Sequence, residues 1–392
     1  MEDLKSSSDF DDPHVRTAYW MTLAFAVLFF GVGAVQQYIA IWFQDRGIPH
    51  VGKNTLVLVY LFYFLGSFQA HRVINLLGSR FCMMATSLTY GLLIVSIWCG
   101  SEVLSYVAAA VSGLMASLLW TGQTIVLNRI TDSKLRSTAV GQFWTRYPLG
   151  TGLGTLTLGL LVGQFSYSAP VLCFGLFALA SCVLFGKMPS ESKSTNPTSS
   201  SRVPSFHTVT VGSALTVFFV RFVYGLVISQ VPIDLKETIG TAYVGLVTSP
   251  FFFLPIIVSK PVTVFANRRG LLSSACVGFV ISGLGIGCLL LPQSGTSITL
   301  GVLLIALSSA VLNPIGNLLP KWITDMASID LSRIAGAFSL AGSSGILAGL
   351  LSVTLLSRTS AYVAAIVLMV LSAIALWAVT STHSSRVAIL SK

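Results

Sequence analysis

The chain has 392 residues, of which 54% are hydrophobic and 9% charged. Soluble domains carry roughly a quarter charged residues, so a water-soluble globule is excluded for want of polar surface. The net charge of +10 would point to nucleic acid in a soluble protein. In a chain this apolar it reads instead as basic cytoplasmic loops facing anionic lipid, and no nucleic-acid partner is expected.

In chain order, residues 1–16 are polar, lack the basic start of a signal peptide and read as a cytoplasmic tail. A helix needs about 20 apolar residues to cross the hydrocarbon. The hydropathy pattern predicts six such spans, at 17–42, 54–71, 81–99, 103–127, 139–164 and 168–186, forming a first bundle over 17–186. Residues 187–205, KMPSESKSTNPTSSSRVPS, are rich in Ser and Pro and read as a cytoplasmic linker. Six more spans follow, at 206–229, 242–259, 270–290, 298–320, 334–356 and 360–381, forming a second bundle over 206–381, with a tail at 382–392. The expected fold class is an all-α membrane protein with 12 transmembrane helices in two pseudo-symmetric six-helix bundles.

With the N-terminus inside, the inner loops hold most basic residues, from Arg72 and Arg80 through Arg129, Lys134 and Arg136 to Lys260, Arg268, Arg269, Lys321 and Arg333. The outer loops hold Arg46, Lys53, Lys236 and Arg358. This asymmetry predicts that both termini are cytoplasmic. The six cysteines sit in or at the ends of apolar segments without a CxxC pair, as small hydrophobes do. No metal and no cofactor is expected. The chain is read as monomeric, its partners being a small-molecule substrate and the lipid bilayer, in a cell (inner) membrane.

The halves repeat one another. NRITDSKLRSTAVGQF (128–143) follows the fourth span and KWITDMASIDLSRIAGAF (321–338) follows the tenth; both carry Ile-Thr-Asp, a basic residue, and Gly-x-Phe opening the next helix. The helices that follow contain Gly150-x-x-x-Gly154 and Gly345-x-x-x-Gly349, spacings that let helices approach closely.

Twelve spans in two like halves joined by a long cytoplasmic loop resemble the major facilitator superfamily. That family's loop motif after the second span, G-x-x-x-D-[RK]-x-G-[RK]-[RK], is similar to HRVINLLGSR (71–80), where Gly78 and Arg80 match and Asn75 replaces the acid. The second-half copy, VTVFANRRG (262–270), keeps Asn267, Arg268 and Gly270. RYPLGTGLG (146–154) is similar to the glycine-proline stretch of family antiporters, with Tyr147 at a usual glycine, and SGLMASLLWTGQ (112–123) is similar to the Unc-type branch. The resemblance implies alternating access around a central site. It makes spans one and seven, and four and ten, symmetry mates.

Ionisable groups inside a membrane are costly and mark functional sites. Two basic residues fall within spans, Arg221 and Arg146, while every acid, including Asp45 and Asp234, falls in a loop, a tail or a span edge. Counting residues along the predicted spans puts Arg221 and Tyr224 at an outer-middle depth with Gln36 and Gln37. A second group lies deeper toward the cytoplasm: Trp120 and Gln123, Asn313 and Asn317, and Arg146 with Trp144 and Gln142. A guanidinium in low dielectric seeks a carboxylate or phosphate. The expected function is therefore secondary transport of a small organic solute, anionic or zwitterionic, with Arg221 reading its charge and Phe218, Phe222 and Tyr224 walling it. With no acid within the spans and His71 at a cytoplasmic end, carboxylate-based proton coupling is not expected. Two alternatives remain: a non-transporting membrane regulator or chaperone on the same scaffold, and efflux of amphiphilic compounds. The chain contains no HExxH or GxSxG motif, and no enzyme is expected.

Overall fold

The structure is a computed structural model that describes residues 12–130, 132–165, 168–189, 208–269, 271–292, 294–327 and 331–390. Among these, fourteen helices are found and no strand. Those of the first half are α1 (Pro13–Asp45), α2 (Pro49–Ser67), α3 (Ala70–Leu77), α4 (Ser79–Cys99), α5 (Glu102–Asn128), α6 (Ser133–Gln164) and α7 (Ser168–Gly186). Those of the second half are α8 (Thr208–Ile239), α9 (Thr241–Thr248), α10 (Pro250–Arg269), α11 (Leu271–Leu290), α12 (Gly295–Ala327), α13 (Leu331–Leu355) and α14 (Arg358–Leu390).

Each predicted span falls on a helix, with three differences. First, the predicted span 54–71 is broken: α2 ends at Ser67 and α3 turns away by 71°. The α3–α4 junction is Gly78, at φ 85°, a left-handed conformation that glycine adopts without cost. Second, α9 and α10 together occupy the eighth span, and Thr241–Val258 is apolar enough to cross as one unit. Third, by length and apolarity ten stretches of the described residues pass as spans, or eleven counting α2 with α3. The remaining unit of the twelve is α6, whose sequence is diluted by Arg146, Tyr147 and a run of glycines and threonines.

The two halves pack alike. In the first, α1 lies on α6 and α7, α2 on α5, and α4 on α5 and α7. In the second, α8 lies on α13 and α14, α10 on α12, and α11 on α12 and α14. The glycine pairs account for the closest of these contacts. A Cβ on Gly150 or Gly154 would overlap the carbonyl oxygen of Ala26 or Phe30 on α1; one on Gly345 or Gly349 would overlap that of Phe218 or Phe222 on α8. Both pairs are thus helix–helix seams at equivalent places in the two halves, and the side-chain-free surface lets the backbones meet.

One predicted boundary moves with consequences for the site. The seventh span was expected to end at Ser229, yet α8 continues to Ile239, burying Val231, Asp234 and Leu235. Asp234 is therefore not a loop residue. It lies inside α8, where its carboxylate accepts from Gln230 Nε2 at 2.7 Å and pairs with Arg358 at 3.3 Å. The end of the molecule holding the start of α1 is called the near end below, and the opposite end the far end.

Candidate functional site

Two adjoining chambers lie between the bundles. The first, of about 80 Å³, is walled by Tyr60 and Tyr63 of α2, Tyr90 of α4, Trp120 of α5, Trp144 and Tyr147 of α6, Arg221 and Tyr224 of α8, and Phe251 and Phe252 of α10. Gln36, Ser309 and Asn313 add polar groups to it. The second, of about 120 Å³, extends toward the near end along Gln123, Thr124 and Asn128 of α5, Thr216 of α8 and Ser339 of α13. Tyr63, Trp120, Trp144, Arg221 and Asn313 border both. A water needs roughly 10–15 Å³ of such space, so together the chambers admit a small organic molecule with its immediate waters.

Arg221 sits where the chambers join. Its guanidinium carbon is 6.0 Å from the centre of the Trp120 ring, at the edge of cation–π range. Among the described residues no carboxylate lies within ion-pairing distance of it. The two acids nearest in sequence to a rival role are engaged elsewhere: Asp45 with Lys236, and Asp234 with Arg358. Trp120 itself is held by an aromatic cluster, at 5.5 Å from Phe25 and Phe29 and 5.4 Å from Tyr147. Asn313 donates to Ser309 Oγ at 2.8 Å on the same wall.

Arg221, Tyr224 and Gln36 of the expected outer tier and Trp120, Gln123 and Asn313 of the inner one line the same two adjoining chambers. Arg221 was expected above Trp120, Gln123 and Asn313, but the longer α8 sets it roughly 20 Å from Thr208 at 1.5 Å per residue, level with Trp120. Tyr224 and Gln36 line the first chamber and Gln123 the second. Gln37 is buried but borders neither chamber. Phe218 and Phe222 are not the aromatic wall; they stack on one another along the seam with α13.

Arg146 is also displaced from the site. It stands two residues after Trp144 and one before Tyr147, and its guanidinium lies 5.0 Å from the Tyr19 ring on α1, beside Gln142. Arg146→Gln is accordingly expected to leave any ligand-induced rise in melting temperature within about 1 °C of wild type, because a surface-type cation–π contact contributes only about 0.5–1 kcal/mol to stability and none to the cavity. A melting series with and without ligand checks this.

Asn75 of the loop motif is exposed on α3, Gly78 forms the junction described above, and Arg80 is half-buried at the start of α4. Asn267 and Arg268 belong to α10 and Asn317 to α12, but their side chains, like Gly270 as a whole, lie outside the described residues.

Tyr60, Tyr63 and Tyr90 were not foreseen. The sequence did hold a signal. Tyrosine belongs at membrane interfaces, where its hydroxyl meets water, yet these three fall in mid-helix, and Tyr60 and Tyr63 are three apart on one face of α2.

A profile of the Major Facilitator Superfamily matches residues 21–214, the first bundle and the start of the second. The paired-bundle packing of the second half completes the same architecture. The chain belongs to the major facilitator superfamily. The match is to the superfamily as a whole and distinguishes no branch within it. Among solved structures the chain is similar to one described as "Crystal structure of auto inhibited POT family peptide transporter", with a TM-score of 0.68, 12% identity, and coverage of 93% of this chain and 96% of that one. At that identity the likeness is one of fold. No functionally curated protein matches the sequence. The chain is a multi-pass integral membrane protein of a transporter superfamily.

Proposed function

We propose that this superfamily member is a secondary transporter of a small organic solute bearing a carboxylate or phosphate, which Arg221 binds at the junction of the two chambers. The near end, with both termini, faces the cytoplasm of a cell membrane, in keeping with the lysine and arginine bias of the loops. The observation that carries the reading is a guanidinium bordering both chambers without an ion-pairing carboxylate among the described residues. An arginine so placed is stabilised by a partner that arrives with the solute, through bidentate charge-assisted hydrogen bonds. Among the described residues no Asp, Glu or His borders either chamber, which favours exchange or facilitated movement over a proton relay through the cavity.

The test is thermal unfolding of purified wild type and Arg221→Gln against organic anions, zwitterions, neutral sugars and lipophilic cations. A ligand that binds the folded state alone raises its apparent stability. Organic anions are expected to stabilise the wild type, and Arg221→Gln to weaken their binding about 10–100-fold, the value of about 1.5–3 kcal/mol for hydrogen bonds to a charged group. Equal stabilisation of both proteins by neutral or cationic compounds would instead make Arg221 structural and favour efflux of amphiphilic compounds. Destabilisation of Arg221→Gln with no ligand response in either protein would favour the regulator reading.

A further inference from the structure

The cavity also carries information about the rest of the solute, beyond its negative charge. We infer that the solute is a monoanionic aromatic acid without an ammonium group, its ring held in the first chamber and its carboxylate at Arg221. The inference rests on the charge-reading role of Arg221 proposed above and narrows it.

Two observations carry it. The first is the asymmetry of charge in the walls. Arg221 is present, while among the described residues no acidic side chain borders either chamber. An α-amino acid or peptide would bring an ammonium into the same cavity, where it would meet amides, hydroxyls and a like-charged guanidinium but no counter-ion. A desolvated charge left without a partner is strongly unfavourable, and a neighbouring like charge adds to the cost. The phenol and indole faces offer cation–π attraction, but Trp120 already turns its face toward Arg221, and such attraction is weaker than an ion pair.

The second observation is where the rings are. Tyr60, Tyr90, Tyr147, Trp120 and Phe251 surround the first chamber beside Arg221, whereas the second has fewer rings of its own and sets Gln123, Thr124, Asn128, Thr216 and Ser339 among aliphatic side chains. Flat rings meeting edge-to-face or offset gain more than area alone provides. A planar ring therefore belongs in the first chamber, and polar substituents or water in the second. The carboxylate of such a molecule falls at the boundary, where Arg221 stands.

The test measures binding to full-length protein in detergent, by thermal shift across a concentration series, with four matched probes. These are 3-phenylpropionate, phenylalanine (the same skeleton with an ammonium), hexanoate (the charge without a ring) and 3-phenylpropanamide (the ring without a charge). The apparent Kd for 3-phenylpropionate is expected to be about tenfold or more below that for phenylalanine, and about fivefold below that for hexanoate. Phenylalanine binding as well as 3-phenylpropionate would overturn the exclusion of ammonium, and hexanoate binding as well would overturn the aromatic preference. In either case the proposed function stands if the response is lost in Arg221→Gln and partly kept in Arg221→Lys. If 3-phenylpropanamide binds as well as 3-phenylpropionate, or if neither carboxylate binds, both the inference and the charge-reading role fail. The wild-type comparison decides the inference even if the Arg221 variants do not fold.

Discussion

Asp234→Leu is expected to lower the unfolding free energy by about 3 kcal/mol, near the lower end of the cost of breaking a buried ion pair. The carboxylate is 3% exposed and its partner Arg358 is 26% exposed, so the arginine left behind keeps some access to water, which sets the estimate low in the range. The substitution also removes the acceptor of the Gln230 amide. The pair ties the far end of α8 to the first turn of α14, and Arg358 reaches further to the carbonyl oxygen of Leu289 at the end of α11. Three helix ends of the second bundle thus meet at one charged cluster. Denaturant or thermal unfolding of the single variant and of Asp234→Leu/Arg358→Leu checks the cause. The double variant should regain most of the loss, because replacing both charges by packed apolar side chains is often neutral or stabilising. A double variant as unstable as the single one would mean that shape, not charge, is what Asp234 provides.

The reading of the sequence succeeded where a physical rule acts over many residues and faltered where one boundary decides the answer. Hydropathy summed over about 20 residues located the helices, because the bilayer imposes one length scale on all of them. The glycine pairs at 150/154 and 345/349 were legible as seams because only a missing side chain permits such an approach, and both pairs do sit under backbone carbonyls of their partner helices. Arg221 and Trp120 were each recognised, but as members of different layers. The error came from ending the seventh span at Ser229. The stretch that follows, with Pro232, Asp234 and Lys236, looks like a loop by composition, while its buried face and the Asp234–Arg358 pair keep it helical. Composition cannot show that a charge has a partner 124 positions away in sequence (358 minus 234). Arg146 failed for a related reason. Residue counting gives depth but not facing, and a turn of one residue separates the cavity side of α6 from the side that meets Tyr19.

Gly245→Leu is expected to slow transport by on the order of tenfold or more while leaving a folded protein. At the far end the bundles meet through α6 and α9, where Gly159 and Gly245 face one another and the Tyr38 hydroxyl sits against both. A Cβ on Gly245 would stand 2.5 Å from the Thr155 carbonyl oxygen and 3.1 Å from the Gly159 Cα. The Asp45–Lys236 pair spans the same end from α1 to α8. Closure of the far end therefore requires a residue with no side chain at 245, whereas a far-open conformation, with α6 and α9 apart, does not. Overpacking of this kind costs about 1–3 kcal/mol, and it acts on the far-closed state alone. Such a bias shifts the ratio of the two states by about 5–150-fold. The shift is measurable as the labelling rate of Ser309→Cys, which borders the first chamber, by a membrane-impermeant thiol reagent added at the far side, in a protein whose six native cysteines have been replaced. Labelling should rise on the order of tenfold in Gly245→Leu, with Gly245→Ala between the two. An unchanged rate would show that α6 and α9 do not part when the cavity opens. The glycine contact would then be a fixed joint between the bundles, and the moving surfaces would have to be sought along α2 and α13, which meet at Ser67 and Ser339 near the opposite end.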